Sequence, residues 1–253
     1  MKREHNPVIN LRYWVLISLV SIFGTNTGDL AVRWYKQFAT VLNLSWLELR
    51  HLGPLPVLVL FFVLLWRLEK KDKSKIELYF WLAIIIIRTA ATNIADALVD
   101  DLHLGFLISS TIFTVGLLCL ALLWQKNRPK PIALNFVPET TGTYWLMMLM
   151  AGVLGTVLGD YLAHSYGLAN SALVLSLLMV GLVLAGYRGF LVLTPLYWLG
   201  IVLARIAGTA AGDWLAKSAE KGGSGLDLPT ATLISGVIFV LVAVYWKSET
   251  AKS

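Results

Sequence analysis

Of 253 residues, 57% are hydrophobic and only 14% are charged, and the mean hydropathy is +0.71. Soluble domains carry about 25% charged residues, so a soluble enzyme with one modest core is excluded. A disordered chain is excluded too, and the single cysteine, Cys119, excludes an internal disulfide scaffold. The net charge of +6 would suit nucleic acid, but the basic residues stand where a membrane wants them. The chain is predicted to be an all-α polytopic membrane protein.

A helix needs about 20 mostly apolar residues to cross the hydrocarbon, and eight stretches supply them. In chain order they are 13–34, 49–66, 79–99, 104–124, 144–164, 168–187, 197–217 and 229–246. The first follows a basic lead but has no A-x-A-like cleavage site and carries Asp29 near its end, so a retained helix is expected. Fourteen Lys/Arg residues fall on the N-terminal side of the spans against five on the other, with Arg88 and Arg205 inside spans. That bias predicts both termini in the cytoplasm and a multi-pass protein of the cell inner membrane. Its partners are the lipid bilayer and a small ion or solute, with no nucleic acid. Trp14, Trp81, Trp145 and Trp198 open the odd spans and Trp66, Trp124, Tyr187 and Trp246 close the even ones. They are expected to be anchors at the cytoplasmic membrane boundary.

Aligned on Asp29, Asp96, Asp160 and Asp213, the chain repeats without gaps. Four residues earlier stand Thr25, Thr92, Thr156 and Thr209, and fifteen earlier stand the four tryptophans. One and five residues earlier stand small residues: Gly28 and Gly24, Ala95 and Ala91, Gly159 and Gly155, Gly212 and Gly208. The chain therefore reads as one transmembrane domain, 1–253, made of four two-helix units at about 12–67, 78–126, 143–188 and 196–247. Each unit holds two spans, so the units are parallel and related about an axis along the membrane normal, unlike inverted repeats. Eight before the aspartate, units two and four carry Arg88 and Arg205, while units one and three carry Ser21 and Gly152.

At about 100° per residue, with the aspartate at zero, every repeated feature falls in one stripe. The threonine lies at about −40°, the tryptophan at about −60°, the arginine at about −80°, and the small pair at about −100° and about −140°. A stripe joining small-xxx-small spacing to ionisable groups should face other helices, so the odd helices are expected inside and the even helices around them. The [YF]-W lead, the GT-x-x-GD signature and the four two-helix copies resemble the bacterial membrane-anchored proteins built from a repeat of unknown function. The resemblance implies the fold and the membrane location, but no chemistry. Unit two departs from the pattern, with Ala91 and Ala95 replacing both glycines.

With the tryptophans at the inner interface, the aspartates lie about 22 Å further along the helix and the arginines about 10 Å. An outer carboxylate ring above an inner pair of guanidiniums is expected. Four residues beyond each aspartate stand Arg33, Asp100, His164 and Lys217. Arg33 and Lys217 should pair with Asp29 and Asp213, and a protonated His164 with Asp160. Asp96, Asp100 and Asp101 form an acidic cluster without a local cation, and His5, His51 and His103 read as solvated loop residues. The whole set is nearly balanced in charge, which burial in a membrane demands, so it is not an obvious sink for divalent cations. The metal, if any, is left open, and no cofactor is implied.

No H-E-x-x-H, phosphate loop, G-x-S-x-G elbow or Cys/His cluster is present, so the chain is not expected to be an enzyme. The leading expectation is a transporter of protons or small cations, with or without a coupled solute. Asp29, Asp96, Asp160 and Asp213 would bind the ion, with Thr25, Thr92, Thr156, Thr209, Asp100 and His164 beside them. Arg88, Arg205, Asn26 and Asn93 would gate the path or hold substrate. The alternatives are a transporter of an anionic or zwitterionic metabolite gripped by Arg88 and Arg205, and a structural or regulatory protein that transports nothing.

Overall fold

The structure is a computed structural model and describes residues 7–42, 50–71, 77–126, 137–188 and 194–250, with the side chains of Gln125, Thr194, Pro195 and residues 246–250 excepted. Lys2, Arg3, His5, Leu49, Lys73, Lys75, Arg128, Lys130 and Lys252 lie outside the described residues. Eight α-helices follow one another: α1 Leu11–Val41, α2 Leu55–Lys71, α3 Leu78–Asp96, α4 Gly105–Lys126, α5 Gly142–Tyr166, α6 Leu168–Tyr187, α7 Thr194–Ala216 and α8 Leu228–Thr250. No β-strand occurs among the described residues. Asn10 caps α1 through Tyr13 N–H, and Thr141 caps α5 through Tyr144 N–H, each satisfying an orphan donor of the first turn. Seven of the helices are long and apolar enough to cross a membrane. The exception is α2, whose 17 residues rise about 26 Å against a hydrocarbon core of about 30 Å. The chain is thus an all-helical, multi-pass membrane protein.

Several boundaries differ from the sequence reading, and α2 runs over Leu55–Lys71 where 49–66 is expected. Helix α1 continues two turns past Trp34, and α3 ends in a π-helical turn, Ala97–Asp101, closed by Leu102 N–H on Ala97 O at 2.8 Å. The wider turn shifts Asp100 and Asp101 out of α-helical register with Asp96.

The odd helices form a closed ring. Helix α1 packs on α3 and α7, and α5 packs on α3 and α7, while the diagonal pairs are not among the extensive contacts. More than half of each odd span is buried, against less than a quarter of α4, α6 and α8. Those outer helices present leucine, isoleucine and valine outward, Leu107, Val115 and Leu122 on α4 among them. This is the surface that lipid tails accept.

The small residues set the ring's spacing, and they do so in one register. A Cβ built on Gly24 would collide with Arg88 Cβ, and one on Gly28 would lie 2.5 Å from Thr92 Cβ. The same pairing joins Gly155 to Arg205, Gly159 to Thr209, Gly208 to Ser21 and Gly212 to Thr25. In each case the residue five before an aspartate meets the one eight before the next, and the residue one before meets the next threonine. At the α3–α5 contact the glycine changes sides: Ala91 faces Gly152, where a Cβ would lie 2.8 Å from Ala91 Cβ. Unit two therefore keeps its close approach despite losing both glycines. Gly152→Ala should destabilise by about 1–3 kcal/mol through overpacking, and adding Ala91→Gly should restore most of it. Thermal unfolding of the single and double variants in detergent checks this.

The tryptophans that open the odd helices are not boundary anchors. Trp14 is 0% exposed, and Trp81, Trp145 and Trp198 are at most 5% exposed. Trp14 fills the space that Gly186 of α6 and Gly200 of α7 leave open. Trp81 meets Phe239 of α8, Trp145 meets Phe62 of α2 and Trp198 meets Trp124 of α4, with ring centroids 5.6–6.5 Å apart. Each inner tryptophan is covered by the outer helix of the unit two places along the chain, so its ring is surrounded by protein where the sequence reading expects headgroups.

Candidate functional site

The inner ring carries three polar layers, stacked along its length. The outermost is a cavity of about 500 Å³ lined by Asp29, Asp96, Asp160 and Asp213 with Thr25, Thr92, Thr156 and Thr209. Asp100, His51, His164, Lys217, Lys221 and Phe106 complete its polar and aromatic wall. Asp213 is 5% exposed and bound to Lys217 one helical turn on, as the i,i+4 spacing predicts. Asp29, Asp96 and Asp160 are half-buried and have no ion-pair partner among the described residues. No three His, Cys, Asp or Glu side chains among the described residues converge to hold a metal ion.

Several neighbours fall elsewhere than the spacing suggests. Arg33 is exposed and does not pair with Asp29. It lines a side cleft of about 350 Å³ with Lys36 and Gln37, which shares Asp29, Asp96 and His51 with the main cavity. His164 is exposed and lies against Phe106, ring centroids 6.1 Å apart, without pairing with Asp160. The acidic cluster does have partners, one of them a cation, and they come from the segment before α2. Asp101 accepts from His51 Nδ1 at 2.8 Å and from His51 backbone N–H at 3.0 Å, with Arg50 Nε at 3.7 Å. His51 is accordingly a buried wall of the cavity and not a solvated residue; proximity across 50 positions of sequence is invisible to a local reading. His103, by contrast, is exposed and takes φ 53°, turning the chain from the π-helical turn into α4.

Beneath the cavity lies Arg205, fully buried, and its guanidinium touches the other three inner helices. Its Nε donates to Thr156 Oγ1 on α5 at 3.0 Å and its Nη1 to Ser21 O on α1 at 2.9 Å. Its Nη2 donates to Arg88 O at 3.3 Å and to Thr92 Oγ1, both on α3. Thr92 and Thr156 can accept because their own hydroxyl protons go back to the carbonyls of Arg88 and Gly152, one turn earlier. Thr25 bonds back to Ser21 O in the same way.

The third layer is Arg88 with a tyrosine triad. Tyr13 Oη and Tyr197 Oη are 2.7 Å apart, and Tyr144 Oη and Tyr197 Oη 3.0 Å, all three residues at most 1% exposed. The triad occupies the position just before the inner tryptophans, where unit two has Phe80. Its regular recurrence in three units is the signal the sequence offers, and the boundary-anchor reading hides it. Neither Arg88 nor Arg205 lines the cavity, nor do Asn26 and Asn93, which are fully buried with amide atoms that have no partner among the described residues. The carbonyl oxygen of the Asn26 side chain packs against Gly212 of α7.

An all-helical, multi-pass membrane protein with a polar cavity inside its inner ring is thus the class. The chain matches the Repeat of Unknown Function (DUF347) over residues 79–129, 143–189 and 196–250, the second, third and fourth units of the sequence reading, and belongs to that family. No curated protein and no solved structure matches it.

Proposed function

We propose that the chain is a transporter of the cell inner membrane with both termini cytoplasmic. In this reading it is built from four parallel two-helix units about an axis along the membrane normal. Protons or small cations exchange on Asp29, Asp96, Asp160 and Asp213. The observation that carries the reading is the single cavity onto which all four Asp–Thr pairs face. A carboxylate at the bilayer centre costs about 2.5–3.5 kcal/mol on insertion scales, and three of these four have no ion-pair partner among the described residues to offset it. Protonation or a bound cation offsets it, and exchange between those states is the binding step of transport.

Lys217 acts as a tethered counter-ion for Asp213, and Arg205 seals the base of the cavity. About 500 Å³ lies within the range of small-molecule sites, so a coupled solute has room beside the ion. A purely structural bundle would close this space, and the cavity is what supports transport over that role. The guanidinium pair is a poorer substrate grip than the sequence suggests, because the nitrogens of Arg205 are engaged by the protein.

The test is proton and cation flux into liposomes containing the purified protein. The Asp96→Asn, Asp160→Asn double variant should lose at least about ten-fold in rate, the scale of removing a positioned ionisable group. Equal flux in wild type and variant overturns the assignment.

A further inference from the structure

The two arginines stand at the same position of their units yet meet opposite surroundings. Arg205 bonds to three helices and senses the carboxylates Asp160, Asp96 and Asp29. Arg88 is 0% exposed, and its Nε, Nη1 and Nη2 have no acceptor among the described residues. No carboxylate lies within ion-pair distance of it there. The ionisable groups that act on it are Arg205 and the hydroxyls of Tyr13, Tyr144 and Tyr197. Helical side chains incline toward the start of their helix, which for Arg88 is the side of the triad.

This is a surplus of donors. Three hydroxyls carry three protons, and the two hydrogen bonds of the triad use two of them, leaving one O–H to spare in addition to three guanidinium nitrogens without an acceptor among the described residues. A buried cation without a partner is among the most costly features a protein interior can hold. Charge and hydrogen bonding are both met by one negative ligand that accepts from the guanidinium and from the spare hydroxyl. Gly152, in the place of the arginine of units two and four, lies against the guanidinium: a Cβ there would stand 3.7 Å from Nη1. The walls are closed to solvent, which limits the ligand's size, and one unmatched cation sets its charge.

We propose that Arg88 and the tyrosine triad form a resident site for one small monovalent anion, of the size of chloride or nitrate, separated from the carboxylate cavity by Arg205. The ion neutralises Arg88 and fastens the inner ends of α1, α3, α5 and α7 together. It is a structural ligand, distinct from whatever the cavity carries, and stands whether or not the chain transports.

The full chain, purified in detergent, is unfolded thermally in gluconate buffer to which chloride, bromide or nitrate is added at constant ionic strength. The wild type should gain stability saturably with each of the three anions, and Arg88→Met should show no dependence. No gain in the wild type, or the same gain in Arg88→Met, overturns the proposal. Anomalous scattering from wild-type crystals grown in bromide serves where the variant does not fold. A peak against Arg88 is expected, and bromide bound only elsewhere overturns the site.

Discussion

Arg205→Ala should cost about 3–5 kcal/mol, the scale of breaking a buried charged partner, and lower the unfolding temperature in detergent by roughly 10 °C. The reason is its place at the floor of the cavity. Four hydrogen bonds leave one guanidinium for α1, α3 and α5, so one truncation loosens all four inner helices together. It also opens a void where Gly155 of α5 now rests against the Arg205 side chain. The carboxylates above lose a buried counter-charge at the same time. Arg205→Lys should fall between, because a single ammonium cannot reproduce a planar fork reaching in three directions. An Arg205→Ala protein as stable as wild type would mean that the floor of the cavity is held by something else.

Much of the architecture is legible in the sequence because its signals are local. Apolar run length gives the spans, and the registered Asp, Thr and small residues give the stripe that faces the inner ring. At the tryptophans two local signals conflict. Their place in the helical repeat puts them inside the protein-facing stripe, yet an aromatic pair that opens a span reads as a headgroup anchor. The stripe is the better guide, because outer helices from distant units cover those rings. Arg33 departs for another reason. Spacing of i,i+4 brings two side chains within reach without making them pair, and Arg33 instead lies exposed in the side cleft with Lys36. The Asp101–His51 contact and the tyrosine triad join residues 50 to 184 positions apart, and no periodicity reports such pairs.

The glycine exchange between Ala91 and Gly152 carries a wider lesson about repeats. A close helix contact needs one residue without a side chain, and either helix can supply it. A unit that looks degenerate in isolation is intact once its neighbour is considered. The same holds for Arg88 and Arg205, which are equivalent by position and different in surroundings.

The proposed function requires a site within the membrane, enclosed by α1, α3, α5 and α7, that water reaches from the face opposite the termini. Ala163 lines the cavity and its methyl side chain has no polar atom, its carbonyl serving only to accept from Gly167 N–H at the end of α5, so it can report on access without disturbing the carboxylates. The exposed Cys119 is first replaced by serine, and Ala163→Cys is then treated in sealed membranes with a membrane-impermeant thiol reagent from each side. Complete labelling from the side opposite the termini, with none from the cytoplasmic side, is the predicted result. A thiol that stays unlabelled from both sides, or reacts only from the cytoplasm, contradicts it.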